Sequence, residues 1–241
     1  MDALIYTVMS GAERALRAQQ VHANNLANLE TGGFRADLEL ATSAAVTGDG
    51  YDTRHLAALQ ANAVSSAQGA VRQTGRELDV AIVGDGYFAV EWAGGEAYTR
   101  AGAFALDADG MLTVNGRPVL GDGGPIVLPP FARVAIGNDG TISIQPPDGE
   151  EMQPIDRLRL VRADAASLTK NEAGLVVARD GVELPADETV VVKSGHLEGS
   201  NVSAVGEMVA TMALNREFEI QMKLYRSADA MADAGNRLVR G

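Results

Sequence analysis

The C-terminal stretch 199–241 reads GSNVSAVGEMVATMALNREFEIQMKLYRSADAMADAGNRLVRG and predicts one long α-helix. It contains no proline, and strong helix formers such as Ala, Met, Leu, Arg, Glu and Gln dominate it. Glu207 suits the positive end of the helix dipole, and Ser200, Asn201 and Ser203 are candidate N-caps. At 1.5 Å per residue the helix would be about 55 Å long. That is longer than a domain of this size needs to cover its own core.

Two apolar rows in this stretch recur at steps of three and four residues, which places each row on one helix face. The first row consists of Val202, Val205, Val209 and Met212. The second row consists of Leu214, Phe218, Gln221, Tyr225, Ala228 and Ala232. Two interpretations stay open from this pattern alone: a long surface helix, or one half of a coiled coil that needs a partner helix.

A candidate partner helix lies at the other end of the chain, in residues 2–28, which are also free of proline. Its apolar row is Ile5, Val8, Ala12, Ala15, Gln19, His22 and Leu26, with Met9, Leu16, Ala23 and Ala27 beside it. The alanines allow a second helix to approach closely, whereas the polar side chains of Gln19 and His22 weaken the apolar contact line, or seam, between the two helices. The stretch lacks the basic region, apolar run and cleavage site of a secretory signal peptide. We therefore expect no cleaved leader and no membrane insertion.

The predicted N-terminal helix ends in an asparagine-rich segment. Asn24, Asn25 and Asn28 fall within five residues, and their side chains compete for backbone hydrogen bonds. The pair Gly32-Gly33 then ends the helix, just before Phe34. This pattern predicts a helix terminus followed by a bend.

The charge is unevenly distributed along the chain. The net charge is −12, which argues against nucleic acid as a partner. Residues 1–35 carry three acidic and three basic side chains, and residues 199–241 carry five of each. All of the excess negative charge therefore lies in residues 36–198. Two neutral arms can pack densely on copies of themselves while an acidic body stays outside. The chain also lacks cysteine, which excludes disulfides and thiol chemistry.

The chain between the arms changes character near residue 75. Residues 36–74 are rich in Ala, Ser, Thr and Gly, and predict an extended linking segment with a short helix near residues 55–63. A disordered linker is the alternative. Asp-Gly or Asn-Gly pairs then recur at positions 85, 109, 115, 122, 139, 148 and 180, between short alternating segments. About ten short strands with tight turns predict an antiparallel β domain over residues 75–198.

Three segments resemble one protein family. Residues 23–35, ANNLANLETGGFR, resemble the signature that closes the N-terminal helix in the axial proteins of the bacterial flagellum, the rod and hook subunits. Residues 197–202 (LEGSNV), 207–209 (EMV) and 216–219 (REFE) are similar to the C-terminal helix of that family. The β segments LDVAI, GDGYF and YTRAG, within residues 78–102, resemble its β region. One departure is Gly206, where the family usually has an acid, so Ser203 loses the second member of a capping box.

The resemblance implies a fold and a structural role. The expected fold class is α+β: terminal helices, 1–35 with 199–241, pair as a coiled-coil-like polymerisation domain around a central antiparallel β domain. The sequence at Phe218, where the distal-rod type usually has tyrosine, is more similar to the proximal-rod type. The implied partners are the chain itself, other proximal and distal rod proteins, and the flagellar type III export apparatus. The implied location is the periplasmic rod of the basal body.

The residues expected to form the polymerisation surface all belong to the two arms and their ends. They are Ile5, Val8, Ala12, Leu16, Asn24, Asn25, Leu26, Asn28, Phe34, Val202, Val205, Val209, Met212, Phe218 and Tyr225. Two alternatives stay open: a distal-rod or hook-type paralogue, and a secreted β-domain enzyme or wall-binding module with helical flanks.

Catalytic and metal-binding patterns are weak in this sequence. The run 107–110, Asp-Ala-Asp-Gly, begins like a calcium loop but lacks the later ligands, so a hairpin turn is the better interpretation. The three histidines, His22, His55 and His196, are far apart and are interpreted as packing or surface residues. No GxSxG or HExxH motif occurs. We therefore expect no catalytic site, no cofactor and no bound metal.

Overall fold

The computed structural model describes residues 2–45 and 55–240 of the chain. Helix α1 (Asp2–Ala27) and helix α2 (Ala204–Arg240) flank a region of short strands, which confirms the predicted α+β class. The chain divides into two compact units. The helical unit comprises Met1–Ala27, Asp37–Asn62 and Ser203–Gly241, and the β unit comprises Asn28–Ala36 and Ala63–Val202. Neither helix combines the length and hydropathy that a bilayer crossing requires, within the residues described.

Two long strands follow helix α1: β1 (Asp37–Ala45) and β2 (His55–Val64), which form a two-stranded sheet. The predicted short helix near residues 55–63 is therefore wrong. Alanine and leucine favour a helix there, but pairing with β1 overrides that weak local preference. Residues 46–54 of the predicted linking segment lie outside the described residues.

The strands of the β unit are short. They are β3 (Val71–Gln73), β4 (Val80–Val83), β5 (Tyr87–Trp92), β6 (Gly95–Thr99), β7 (Ala105–Leu106), β8 (Leu112–Val114), β9 (Arg117–Pro118), β10 (Leu120–Gly121), β11 (Gly124–Pro125), β12 (Arg133–Ile136), β13 (Thr141–Gln145), β14 (Gln153–Arg157), β15 (Leu160–Val161), β16 (Leu168–Lys170), β17 (Val176–Ala178), β18 (Val191–Ser194) and β19 (His196–Glu198). A single 3₁₀ turn, Ala165–Ser167, lies between β15 and β16.

Antiparallel pairing connects these strands into several small sheets, as the turn pattern predicts. The largest has the order β15-β5-β6-β17-β16. Two three-stranded sheets have the orders β7-β8-β9 and β12-β13-β14, and pairs form between β18 and β4, β19 and β3, and β10 and β11. The sequence analysis expected about ten strands over residues 75–198, whereas the structure has more and shorter ones: the adjacent strands β14 and β15, for example, pair with different partners.

Tight turns set the register of the hairpins where the sequence signals are strongest. Strands β8 and β9 are joined by Asn115 and Gly116, both with positive φ (51° and 74°), the geometry that an Asn-Gly turn favours. Asp107 Oδ1 accepts hydrogen bonds from the backbone N–H groups of Asp109 and Met111. The calcium-like run is thus an ordinary turn between β7 and β8, as interpreted from the sequence.

The core of the β unit is built from alternating apolar side chains of many strands. Phe88 and Phe104 pack edge to face with ring centroids 5.1 Å apart. Aliphatic side chains such as Ile82, Leu112 and Ile142 surround them and are fully buried. Burial of this kind supplies the main free energy that holds the small sheets together.

Candidate functional site

Helices α1 and α2 lie side by side and antiparallel within the helical unit. Arg14 Nη2 is 2.8 Å from Glu217 Oε1, and nearer the end of α1 His22 Nδ1 is 2.5 Å from Glu207 Oε2. Residues nearer the C-terminal end of α1 thus contact residues nearer the N-terminal end of α2, as in an antiparallel pair. A Cβ atom at Gly11 would lie 3.0 Å from Gln221 Nε2, so the helices approach closely at that glycine.

The predicted row on α1 does face inward. Val8 and Ala15 are buried, and Ile5, Ala12 and Leu26 are half-buried, whereas Leu16, beside the row, is 46% exposed. The row is short of large side chains, since Val8 is its one fully buried residue bigger than alanine. The helix pair therefore buries little apolar area, and the coiled-coil-like packing itself stays a prediction.

Helix α2 carries two apolar faces with different exposures. The row containing Leu214 and Phe218 is half-buried at those positions, buried at Ala228 and half-buried at its last member, Ala232. Its member Tyr225 is 39% exposed. The other row faces outward: its members Val205, Val209 and Met212 are each more than half exposed, as are Met208 and Ile220. Such a continuous exposed apolar row is typical of a surface that binds another protein.

The asparagines at the end of α1 have a defined role within the helical unit. Asn25 is 1% exposed; its Nδ2 donates to the backbone carbonyl of Asp37, and the Asp37 N–H donates to Asn25 Oδ1 at 2.8 Å. The amide thus binds both backbone groups of the first residue of β1, as a neighbouring strand would. Asn24, which is exposed, donates to the Asp37 carboxylate at 2.8 Å. These three hydrogen bonds join the last turns of α1 to the first residue of β1.

Ser203 caps helix α2. Its hydroxyl accepts a hydrogen bond from the N–H of Gly206 at 3.3 Å, as expected for an N-cap. Gly206 has no side chain with which to complete a capping box. Glu207 lies in the first turn instead and contacts His22 across the helix pair. His22 is thus more than a surface residue, and its partner was not apparent from sequence because the two lie far apart in the chain.

A buried charge cluster lies in the β unit, and we call it the root cluster: Arg35, Arg100 and Glu198. Glu198 Oε1 is 3.1 Å from Arg35 Nη2, and Glu198 Oε2 is 3.0 Å from Arg100 Nε. All three side chains are at most 5% exposed. One carboxylate is shared by two guanidinium groups, so the cluster keeps one uncompensated positive charge away from water.

Backbone carbonyl groups stabilise the two arginines. Arg100 donates to the carbonyl groups of Gly86 at 2.9 Å and Gly84 at 2.6 Å. Arg35 donates to the carbonyl groups of Ser66 and Ala67. Burial lowers the pKa of the Arg100 guanidinium to about 10, although Glu198 opposes this effect. That pKa is still well above neutral, so Arg100 stays charged under ordinary conditions. Burial likewise raises the pKa of the neighbouring Tyr87 phenol, which therefore stays neutral.

The root cluster ties together the chain that leaves α1 and the chain that enters α2. We call residues 28–36 the N-terminal root and residues 196–202 the C-terminal root. The Gly33 N–H donates to the Glu198 carbonyl at 2.8 Å, and the Ala36 N–H donates to Asn201 Oδ1 at 2.7 Å. Phe34, half-buried, lies under Lys170, whose Nζ is 3.8 Å from the ring centroid. Asn28 is half-buried, and Val202 is buried at the end of the C-terminal root.

The structure thus separates the predicted surface residues into two groups. Val205, Val209 and Met212 are exposed on α2, whereas Asn25, Phe34 and Val202 hold the ends of the helices or the roots. The root cluster itself was missed. Its residues stand in the motifs TGGFR, YTRAG and LEGSNV, and a charged residue in each motif was the available signal.

Known proteins match this chain both in separate segments and along its whole length. Three family models match: the flagella basal body rod protein model over residues 5–35, the flagellar hook protein FlgE/F/G D1 domain over residues 81–144, and the flagellar basal body rod FlgEFG protein C-terminal model over residues 193–238. The matched segments are helix α1 with the N-terminal root, the strands β4 to β13, and helix α2 with the C-terminal root.

Relatives match along the whole chain. The flagellar basal-body rod protein FlgF of Escherichia coli is 41% identical over 99% of both chains, and FlgF of Salmonella typhimurium is 39% identical over the same shares. FlgG of Bacillus subtilis is 32% identical over 93% of this chain and 94% of its own. Rod proteins are structural and not a class of enzymes. The chain therefore belongs to the FlgF family of flagellar basal-body rod proteins and is a structural rod subunit.

Proposed function

We propose that this subunit polymerises through its two terminal arms, residues 1–35 and 199–241, into the proximal rod. The observation that carries the proposal is the exposed apolar row of α2, with Val205, Val209 and Met212 each more than half exposed. A single chain leaves these side chains in water, and packing against a neighbouring subunit would bury them at about 25 cal/mol per Å². The helical unit serves as the polymerisation domain.

The partners in this proposal are copies of the chain and other rod and hook subunits. The C-terminal family model, which covers FlgE, FlgF and FlgG together and matches residues 193–238, supports a shared C-terminal arm of this kind. Export through the flagellar type III apparatus in an unfolded state, followed by assembly in the periplasm, fits the absence of cysteine and the light helix seam. In the assembled rod the subunit would transmit torque.

The proximal-rod type is favoured over the distal-rod type. The FlgF relatives of Escherichia coli and Salmonella typhimurium are more similar to this chain than the FlgG relative of Bacillus subtilis. Complementation distinguishes the two: expression of this chain should restore swimming to a strain that lacks FlgF and not to one that lacks FlgG. Rescue of the FlgG-deficient strain alone would overturn the assignment.

Assembly of the purified protein should increase with salt. The net charge of −12 lies in residues 36–198, so repulsion between bodies opposes association. Salt screens that repulsion, with a Debye length of about 10 Å at 0.1 M and about 3 Å at 1 M, and does not weaken apolar packing of the arms. Light scattering across a salt series measures the effect. Association that falls steeply with salt would mean that ion pairs, and not the neutral arms, drive assembly.

The arms should be the first part of the dilute monomer to be cleaved by protease. The α1–α2 seam buries few large apolar side chains, so these helices open at little cost in free energy. Limited proteolysis with mass spectrometry should find cuts within α1 and α2 before any cut in residues 75–195. Equal resistance of the arms and the β unit in the monomer would contradict this expectation.

A further inference from the structure

The root cluster has an asymmetry that follows from its charges. Arg100 belongs to the β unit core, Arg35 to the N-terminal root and Glu198 to the C-terminal root. If Arg35 leaves, Glu198 and Arg100 remain as a neutral buried pair. If Glu198 leaves, two buried guanidinium groups lose their counter-charge, which is far more costly because an unpaired buried charge is strongly disfavoured. The electrostatics therefore favour release of the N-terminal root and oppose release of the C-terminal root.

Backbone hydrogen bonds give the same order independently. The C-terminal root contains strand β19, which pairs with β3 (His196 with Gln73, Glu198 with Val71), and the Gly199 N–H donates to the Ala70 carbonyl at 2.8 Å. The N-terminal root contains no strand. Its Gly33 and Ala36 N–H groups both donate to the C-terminal root, one to the Glu198 carbonyl and the other to Asn201 Oδ1. A backbone bond to the body remains, from the Ser65 N–H to the Ala36 carbonyl.

Both roots are packed closely against the body backbone. A Cβ atom at Gly69 would lie 2.1 Å from the Gly199 carbonyl oxygen, and a Cβ atom at Gly33, which has positive φ (68°), would lie 2.2 Å from the backbone N of Ala101. The Gly33 N–H, however, donates to Glu198 of the C-terminal root. The N-terminal root is thus placed against a surface that the C-terminal root helps to form.

We propose that the root cluster is an ordered latch, in which the C-terminal root docks on the β unit first and the N-terminal root docks on it second. The N-terminal root can then open and close while the C-terminal root stays bound. Glu198 is the positioning residue that both steps require, whereas Arg35 serves the second step alone. The inference concerns the β unit and does not depend on how the subunit polymerises.

Hydrogen exchange of the full-length monomer tests the order. In the wild-type protein the amides of Gly33 and Ala36 should exchange at least about tenfold faster than that of Gly199, which donates to the Ala70 carbonyl, because the former open locally. Arg35→Gln should accelerate exchange at Gly33 and Ala36 and leave Gly199 unchanged. Glu198→Gln should accelerate exchange at both roots.

A matched control comes from a second ion pair of the β unit that lies outside the roots. Arg159 Nε is 2.8 Å from Glu96 Oε1, and both side chains are partly buried. Glu96→Gln therefore removes one ion-paired carboxylate charge, as Glu198→Gln does. This variant should leave exchange at both roots unchanged. Equal exchange rates at the two roots of the wild-type protein, or acceleration at Gly199 by Arg35→Gln, would overturn the proposal. Both of these outcomes are measured on the wild-type protein and on Arg35→Gln, so the test holds even if the Glu198→Gln variant does not fold.

Discussion

Replacing Phe218 by aspartate should abolish swimming while leaving the β unit folded. Phe218 is half-buried on the inner face of α2, in the row that faces α1. A carboxylate at this half-buried position loses the packing of the phenyl ring and part of its hydration, which together cost roughly 3 kcal/mol or more. Since each 1.4 kcal/mol is a factor of ten, subunit association should weaken by about a hundredfold or more. Swimming in soft agar measures the result, and circular dichroism of the purified variant reports the fold.

The matched control for this experiment is Asn215→Asp. Asn215 is exposed on the same helix, and the substitution adds the same charge at a position where water can solvate it. Bacteria that carry the Asn215→Asp subunit should swim normally. Leu26→Asp, on α1, should behave like Phe218→Asp because Leu26 lies in the opposing row. Normal swimming by both seam variants would count against a rod held together by these helices.

Local sequence signals predicted the fold best where the structure depends on neighbouring residues. The Asn-Gly pair at position 115, for example, predicted a hairpin turn, and it joins β8 to β9 because both of its residues adopt positive φ. The local signals failed in different ways at β2 and β19. Alanine and leucine predicted a helix at β2, which instead pairs with its neighbour β1, and β19 depends on β3, which lies far earlier in the chain. No short-range pattern specifies such a pair.

The candidate site was predictable in part for the same reason. The inward row on α1 follows from helical spacing, so residues such as Val8 and Ala15 were placed on the correct face. The root cluster requires side chains from positions 35, 100 and 198 to meet, which depends on the tertiary fold. Its residues were noticed only as parts of motifs. That Val205, Val209 and Met212 bind a neighbouring subunit stays a prediction.

Gly102→Ala should unfold the β unit or lower its stability by several kcal/mol. A Cβ atom there would lie 1.7 Å from the carbonyl oxygen of Val80 and 3.3 Å from the Phe88 ring. The Val80 N–H donates to the Gly102 carbonyl at 2.9 Å, so the two backbones cannot separate without breaking that bond. Both neighbours, Val80 and Phe88, are fully buried in the core. Relief of the clash therefore requires core side chains and backbone to move. We expect the free energy of unfolding to fall by about 4 kcal/mol or more, which is at the high end for a single substitution.

Gly123→Ala separates this steric effect from the general effect of replacing a glycine. A Cβ atom at Gly123 would meet no other atom within 4 Å, and the residue needs no positive φ, so alanine fits there. The change should leave stability unchanged or raise it slightly, by reducing the freedom of the unfolded chain. Thermal and denaturant unfolding of the two variants measures the difference. If Gly102→Ala were as stable as Gly123→Ala, the close approach of residues 80 and 102 would not be a structural requirement. The YTRAG motif would then need another reason for its last glycine.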